Sequence, residues 1–285
     1  MTENALFRRE GDVYLPGENA GGPWSPDFLH GGAPAGLLAT VLEPAGTEGG
    51  LRLARFTVDL LRPVPAAPLT VEVQRVRDGR RLRLLQADLK ADGVIVSRAS
   101  ALYLEQVPLE VPPAARFPAG DLPPRGDDEA SLSEAAGRAR GQAPLPLPGL
   151  HHTVRVVRVD GVDGSGRGRV WMRLPVPVVD GEACSPSVHA AALADFGNGV
   201  GQLQVNPGTG CINTDISLYL HREPRGGWLG MDALARMQPN GNGLVESTLY
   251  DRDGPVGRVL QATLAMPVYA TKDCRCTPPR IKAND

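Results

Sequence analysis

The chain has 285 residues, 42% apolar and 22% charged, the balance of a soluble globular protein with room for one large domain or two smaller ones. A net charge of −2 gives no electrostatic reason to expect nucleic acid or an anionic membrane as a partner. No apolar run approaches the roughly 20 residues that span a bilayer, and the opening MTENALFRREGDVY lacks the basic lead and apolar centre of a signal peptide, so a cytoplasmic location is expected.

The first segment with a helical pattern is PWSPDFLHGGAPAGLLATVLEPA. Pro34 suits a first turn, and Leu37, Leu38, Val41 and Leu42 form an apolar stripe at helical spacing. Four strands are expected next: LRLARFTVDLLRP, LTVEVQRVRDG, RRLRLLQADLKADG and VIVSRASALYLEQ. Arg77-Asp78-Gly79 and Asp92-Gly93 are the hairpin signals between them. Residues 108–150 are rich in Pro, Gly and charge and read as a linker, with one short helix near Glu129–Arg138. Strands TVRVVRVDG and GRVWMRLPV follow. SPSVHAAALADFGNGVG then predicts a helix with Ser185 as N-cap, Pro186 at the first helical position and Gly197 or Gly199 as its stop. CINTDISLYLHREP, GWLGMDALARM, NGLVESTLYDRDG and PVGRVLQATLAMP complete the strands.

The two halves superpose as sequences. DLLRPVP answers LYLHREP, Arg62 falls on Arg222 and Arg98 falls on Arg258, both at an offset of 160 residues. Two anchors at one offset imply a tandem duplication. The expected organisation is a first unit at 1–107, a linker at 108–150, a second unit at 151–268 and a tail at 269–285. Each unit is a helix laid on a curved antiparallel sheet, an α+β arrangement, and the two sheets can pair edge to edge.

HGGAPAGLL after a Trp-Ser-Pro segment resembles the start of a hotdog domain. LADFGNG, NTDISLYLHREP and DGPVGRVLQATLA resemble the C-terminal hotdog of the double-hotdog acyl-CoA thioesterases. The resemblance implies a tandem hotdog enzyme that hydrolyses acyl-CoA to fatty acid and CoA without a metal or other cofactor, and that forms homo-oligomers. It also implies an attacking water held by three side chains. Asp195 on the second helix would be the base. Gln261 on the last strand and a residue at the start of the long strand after the helix would orient the water. That middle position falls on Asn213, with its neighbour Thr214 as the alternative. Adjacent strand residues face opposite ways, so one of the two serves. Asn213 is preferred, in one row with Asp215, Ser217, Tyr219 and His221. Thr214 falls in the row of Ile212, Ile216, Leu218 and Leu220.

The residues also speak for themselves. Gln261 stands inside an otherwise apolar strand, where an unpartnered amide costs about 1–3 kcal/mol, so it needs a bonding partner. Asp195 shares a helical face with Val188 and sits in the last turn, where the helix dipole disfavours a carboxylate by about 0.3–1 kcal/mol. It either serves a site or caps the Gly197-Asn198-Gly199 turn. His30, Gly31 and Gly32 form either a tight helix entry or a substrate-binding corner, whose bare backbone N–H groups would receive an oxyanion. On the first helix, Ala39 and Thr40 stand where single-hotdog thioesterases carry an acid. Aligning Pro34 with Pro186 puts Glu43 opposite Asp195, and Glu43 is expected at a helix end on the surface, a reserve candidate. Ala101 is the partner of Gln261 in the first copy, so one polar set per chain is expected.

Other chemistries fit less well. Neither G-x-S-x-G nor a Gly-rich phosphate loop follows a strand. Of the four cysteines, Cys184 and Cys211 stand apart and Cys274 and Cys276 form a CxC, and the His151-His152 pair points apart on a strand. This is not zinc spacing, and unpaired thiols are expected. A hydratase pair of Asp215 and His221 would be about 20 Å apart on one strand, too far to cooperate. A non-catalytic acyl-thioester-binding protein is the main alternative to the hydrolase, and an enoyl-CoA hydratase the lesser one.

Overall fold

The structure is a computed structural model, described here for residues 5–206 and 209–267. Two short strands open the chain, β1 (Phe7–Glu10) and β2 (Val13–Pro16), followed by helix α1 (Gly32–Thr47). Then come β3 (Arg52–Asp59), β4 (Leu69–Asp78), β5 (Leu82–Ala91) and β6 (Val94–Leu104). Within the Pro/Gly-rich stretch lie β7 (Glu129–Ser131) and α2 (Leu132–Arg140), and a single turn, α3 (Leu150–Thr153), follows it. The second copy holds β8 (Arg155–Gly161), β9 (Arg167–Arg173), α4 (Pro186–Ala194), the turn α5 (Gly197–Val200), β10 (Thr209–Asn213), β11 (Asp215–Leu220), β12 (Leu229–Met237), β13 (Asn242–Asp251) and β14 (Gly254–Pro267).

The duplication is visible in the strand bounds. β4, β5 and β6 begin at Leu69, Leu82 and Val94, and β12, β13 and β14 begin at Leu229, Asn242 and Gly254, each 160 residues later. Within each copy the hairpins run antiparallel, with Asp92 and Gly93 at positive φ (47° and 75°) forming the tight turn between β5 and β6. The copies join edge to edge through β3 and β11, which pair antiparallel from Asp215↔Asp59 to Tyr219↔Arg55. This makes one continuous sheet in the order β1-β2-β4-β5-β6-β3-β11-β14-β13-β12-β9-β8-β7. Pairing removes the exposed edge that each sheet would otherwise present at its centre.

Both long helices lie on the inner face of this sheet and pack on each other. α1 lies against β3, β5 and β6, and α4 against β9 and β11. Small residues let the two backbones approach: a Cβ on Gly32 would sit 2.5 Å from the Ala192 carbonyl oxygen. The buried stripe of α1 includes the expected Leu37, Leu38 and Leu42. Helix α1 continues through Pro44 to Thr47, so Glu43 is not a surface end residue. It is half-buried, and its Oε1 accepts a 2.5 Å hydrogen bond from the Ser185 hydroxyl. Ser185 also caps α4 by accepting from the Val188 N–H, with Pro186 behind it at the first helical position. His151 and His152 lie on the helical turn α3 rather than on a strand.

The linker stretch is partly built into the second sheet. β7 pairs with β8, and α2 packs on β8 behind a capping box formed by Ser131 and Glu134. Just before it, Leu122 enters a small apolar cluster with Val157, Trp171 and Tyr250, separate from the main core. No helix among the described residues is long and apolar enough to cross a membrane. Cys274 and Cys276 lie outside the described residues.

Candidate active site

The corner where α4 ends against the start of α1 brings together most of the polar residues that the sequence singled out. Asp195 is the C-cap of α4 and is 6% exposed. Its carboxylate does not turn back onto the Gly197-Asn198-Gly199 segment. Oδ2 lies 2.9 Å from His30 Nδ1, and Oδ1 accepts from Asn213 Nδ2 at 2.8 Å. The Gly32 N–H, 3.2 Å from His30 Nδ1, also donates to this carboxylate. Burial pushes the Asp195 carboxyl up, but His30, Asn213 and the Gly32 amide outweigh it and hold the group below the usual carboxylate range. An ionised Asp195 fixes the His30 proton on Nδ1.

Gly31 and Gly32 are required by closeness. A Cβ on Gly31 would stand 2.9 Å from both carboxylate oxygens of Asp195. The two amides are not equivalent: that of Gly32 is engaged, while that of Gly31 has no hydrogen-bond acceptor among the described residues. The His30 ring stacks on Phe196 with centroids 4.5 Å apart and 22° between planes. No described residue bonds its Nε2, and the His30 side chain is 14% exposed.

Gln261 is fully buried, and its Nε2 donates at 3.3 Å to the main-chain carbonyl of Asp195 rather than to its carboxylate. Its Oε1 and the Ser247 hydroxyl, both buried, are without protein partners and flank Gly197. A Cβ on Gly197 would lie 2.4 Å from Gln261 Oε1. Gly197 is therefore a close-approach residue, and the expected stop at Gly197 or Gly199 is instead a further helical turn.

Asn213 reaches Asp195 through a bulge. β10 pairs with β14 as Asn213↔Thr263, and β11 pairs with β14 as Ser217↔Leu260, a shift of one residue across Thr214 and Asp215. Ala262 N–H bonds the Asp215 carboxylate at 2.7 Å, a side chain standing in for a ladder carbonyl. The bulge flips the alternation. Asn213 shares the inward side with buried Ile216, Leu218 and Leu220, not with exposed Tyr219 as the unbroken row implied. Thr214 is exposed and bonds the Ala262 carbonyl at 3.3 Å. Asp215 and His221 are engaged separately, His221 Nε2 with the Pro255 carbonyl at 2.9 Å.

Phe196 and Ser247 were not singled out from sequence. Ser247 carries the signal that marked Gln261, a polar side chain in the inward row Val245, Ser247, Leu249 of β13. Among the described residues no cluster of three His, Cys, Asp or Glu could hold a metal ion.

Two helix-wrapped sheets joined edge to edge, with one polar corner between the helices, define a tandem hotdog of the α+β class. The chain belongs to the acyl-CoA thioesterase family: residues 20–104 match the model of its N-terminal domain and residues 120–265 that of its C-terminal domain. The solved structures of similar fold include acyl-CoA thioesterase II TesB2 of Mycobacterium marinum, 19% identical over 93% of this chain and 95% of that one, TM-score 0.57. The tesB protein of Mycobacterium avium subspecies paratuberculosis is 17% identical over 92% and 96%, TM-score 0.60. A hot dog protein of unknown function from Alicyclobacillus acidocaldarius is 19% identical over 94% and 98%, TM-score 0.60. At these identities the likeness establishes the fold. No curated protein sequence matches at a significant level.

Proposed function

We propose that the chain hydrolyses acyl-CoA thioesters and that Asp195 and His30 act as a pair. The observation that carries this is the Asp195 carboxylate, shared between His30 Nδ1 and Asn213 Nδ2, while no described residue bonds His30 Nε2. A carboxylate accepting three hydrogen bonds is a weak base, and its ionised state suits it to orient an imidazole. His30 Nε2 then takes a proton from water as the water oxygen bonds the thioester carbonyl carbon. The free Gly31 N–H, at the start of α1, donates to the developing oxyanion. Collapse of the tetrahedral species breaks the C–S bond, and the imidazolium proton goes to the departing thiolate. Asn213 and Gln261 hold Asp195 in place, one by its carboxylate and the other by its main chain. This division of labour replaces Asp195 as the direct base with Asp195 as the group that aims the base. We also propose a cytoplasmic homo-oligomer in fatty-acid metabolism as its setting.

The experiment is thiol release from a panel of acyl-CoAs. Asp195→Asn and His30→Ala are each expected to lower turnover by about 10²–10⁴-fold with substrate binding retained, and added imidazole should partly restore His30→Ala. Native turnover in His30→Ala would return the base to Asp195. Binding without thiol release by the native protein would leave a non-catalytic acyl-thioester-binding protein. The same His30–Asp195 pair favours one second reading, hydration of an enoyl-CoA, since addition of water to a double bond also needs a paired imidazole and carboxylate. A product that remains a thioester identifies it.

A further inference from the structure

On the outer face of the second sheet the linker crosses the ends of β9, β12 and β13 and leaves a cleft of about 490 Å³. Its floor is aromatic. Trp171 and Tyr250 are each 6% exposed, and Trp228 lies beside them. The Trp171 indole N–H donates at 2.8 Å to the Pro123 carbonyl, which fixes the linker over the floor. The rim is cationic: Arg125, Arg225 and Arg252 line it, and the guanidinium of Arg125 lies 4.7 Å from the centre of the Trp228 ring.

Two of the three rim arginines share one carboxylate, and no ion pair is formed by Arg125 among the described residues. The carboxylate inside the cleft, Asp251, is bound by both terminal nitrogens of Arg222. Asp253 is shared between Arg225 at 3.4 Å and Arg252 at 3.9 Å, distances of loose surface pairs, and the two arginine side chains are 71% and 77% exposed. The Arg225-Gly226-Gly227 segment lines the mouth, with open space where Cβ atoms would stand on both glycines. A volume of this size suits a ligand of nucleotide dimensions. Aromatic faces and layered guanidinium groups accept a flat heterocycle, arginine forks accept phosphate oxygens, and the cationic rim disfavours a cationic ligand.

We infer that this cleft is a second ligand site, for a purine nucleoside phosphate, distinct from the corner at Asp195. It does not hold the nucleotide end of a substrate being cleaved at that corner. Gln261 is seven residues from Gly254 along β14, about 23 Å at 3.3 Å per residue, and it points to the opposite face of the sheet. The inference therefore stands apart from the hydrolytic reading. The ligand chemistry has two sources, a free nucleotide and the adenosine 3′-phosphate end of released CoA.

Calorimetric titration of the full chain with 5′-ADP, adenosine 3′,5′-bisphosphate and adenosine tests it. Both phosphates should bind and quench tryptophan fluorescence, and adenosine should bind about tenfold more weakly or worse. Arg225→Glu combined with Arg252→Glu, both at exposed positions, should weaken the phosphates by at least a similar factor while thiol release at saturating substrate stays native. Tighter binding of the 3′,5′-bisphosphate identifies the CoA end, and tighter binding of 5′-ADP the free nucleotide. The inference is overturned if neither phosphate binds, if adenosine binds equally well, or if the double variant binds as the native chain does.

Discussion

Asn213 and Thr214 are neighbours with opposite fates, and the reason is local. A strand that alternated without interruption would put Asn213 outside with Tyr219 and Thr214 inside with Ile216. The extra residue at Thr214 reverses this and aims the Asn213 amide at a buried carboxylate. Hydrogen bonds to a charged group contribute about 1.5–3 kcal/mol each. Asn213→Ala should therefore lower thiol release by about 10–100-fold, and Thr214→Ala should leave it nearly native. A larger loss for Thr214→Ala would mean that the hydroxyl, not the amide, serves the site. The residue types were legible in the sequence, because an amide and an acid inside apolar rows demand partners. The bulge was not, because the Asp215 side chain creates it by taking a ladder N–H, and no spacing rule announces that exchange. Nor does a sequence tell which part of Asp195 Gln261 meets, since carbonyl and carboxylate of one residue lie within one amide's reach.

At the scale of elements, period and punctuation were enough for α1, α4 and the long strands. Leu37, Leu38 and Leu42 mark a helical face, and Asp92-Gly93 supplies the positive φ of a tight hairpin turn. β1, β2 and β7 are three or four residues long, too short for alternation to register, and they gain their pairing from neighbours already in place. Glycine usually ends helices, so the sequence predicts a stop where α5 stands. Here glycine follows from contact: α5 lies on Gln261 and Ser247, and a side chain at Gly197 would overlap both. Gly197→Ala should cost about 1–3 kcal/mol through overpacking and should lower turnover as well, because Gln261 holds the Asp195 main chain. Gly227, with open space around it, is the control. If Gly197→Ala melts and turns over as Gly227→Ala does, the contact does not govern the site.

Across the described residues of the whole molecule, the two corners of the duplicated fold differ in their polar groups. Where α4 meets the start of α1, the set is Asp195, His30, Asn213 and Gln261. At the opposite corner Glu43 meets Ser185, and the residues 160 positions before Asn213, Gln261 and Thr263 are Leu53, Ala101 and Tyr103, all buried and mostly apolar. The Tyr103 ring fills the space beneath Gly46. Burial raises the Glu43 carboxyl above its usual range, only partly offset by the Ser185 hydroxyl, so this acid lacks the donors that hold Asp195 ionised. Glu43→Gln should keep native turnover, and a loss like that of Asp195→Asn would reveal a second working corner. The protonation of the interior also sets how the fold responds to acid. Burial pushes His189 on α4 and His151 on α3 down from 6.5 to about 4. Between those values only the unfolded chain takes up the proton, so their contribution to stability is complete above about 6.5 and is lost as the pH falls toward 4. For His189, whose Nε2 accepts the Leu174 N–H at 2.7 Å, the loss at pH 5 is on the order of 2 kcal/mol. His189→Gln keeps an acceptor without the titration, so urea midpoints at pH 7 and pH 5 should lie closer together in this variant than in the native chain. An unchanged gap would place the acid sensitivity elsewhere, in the carboxylates paired with arginine.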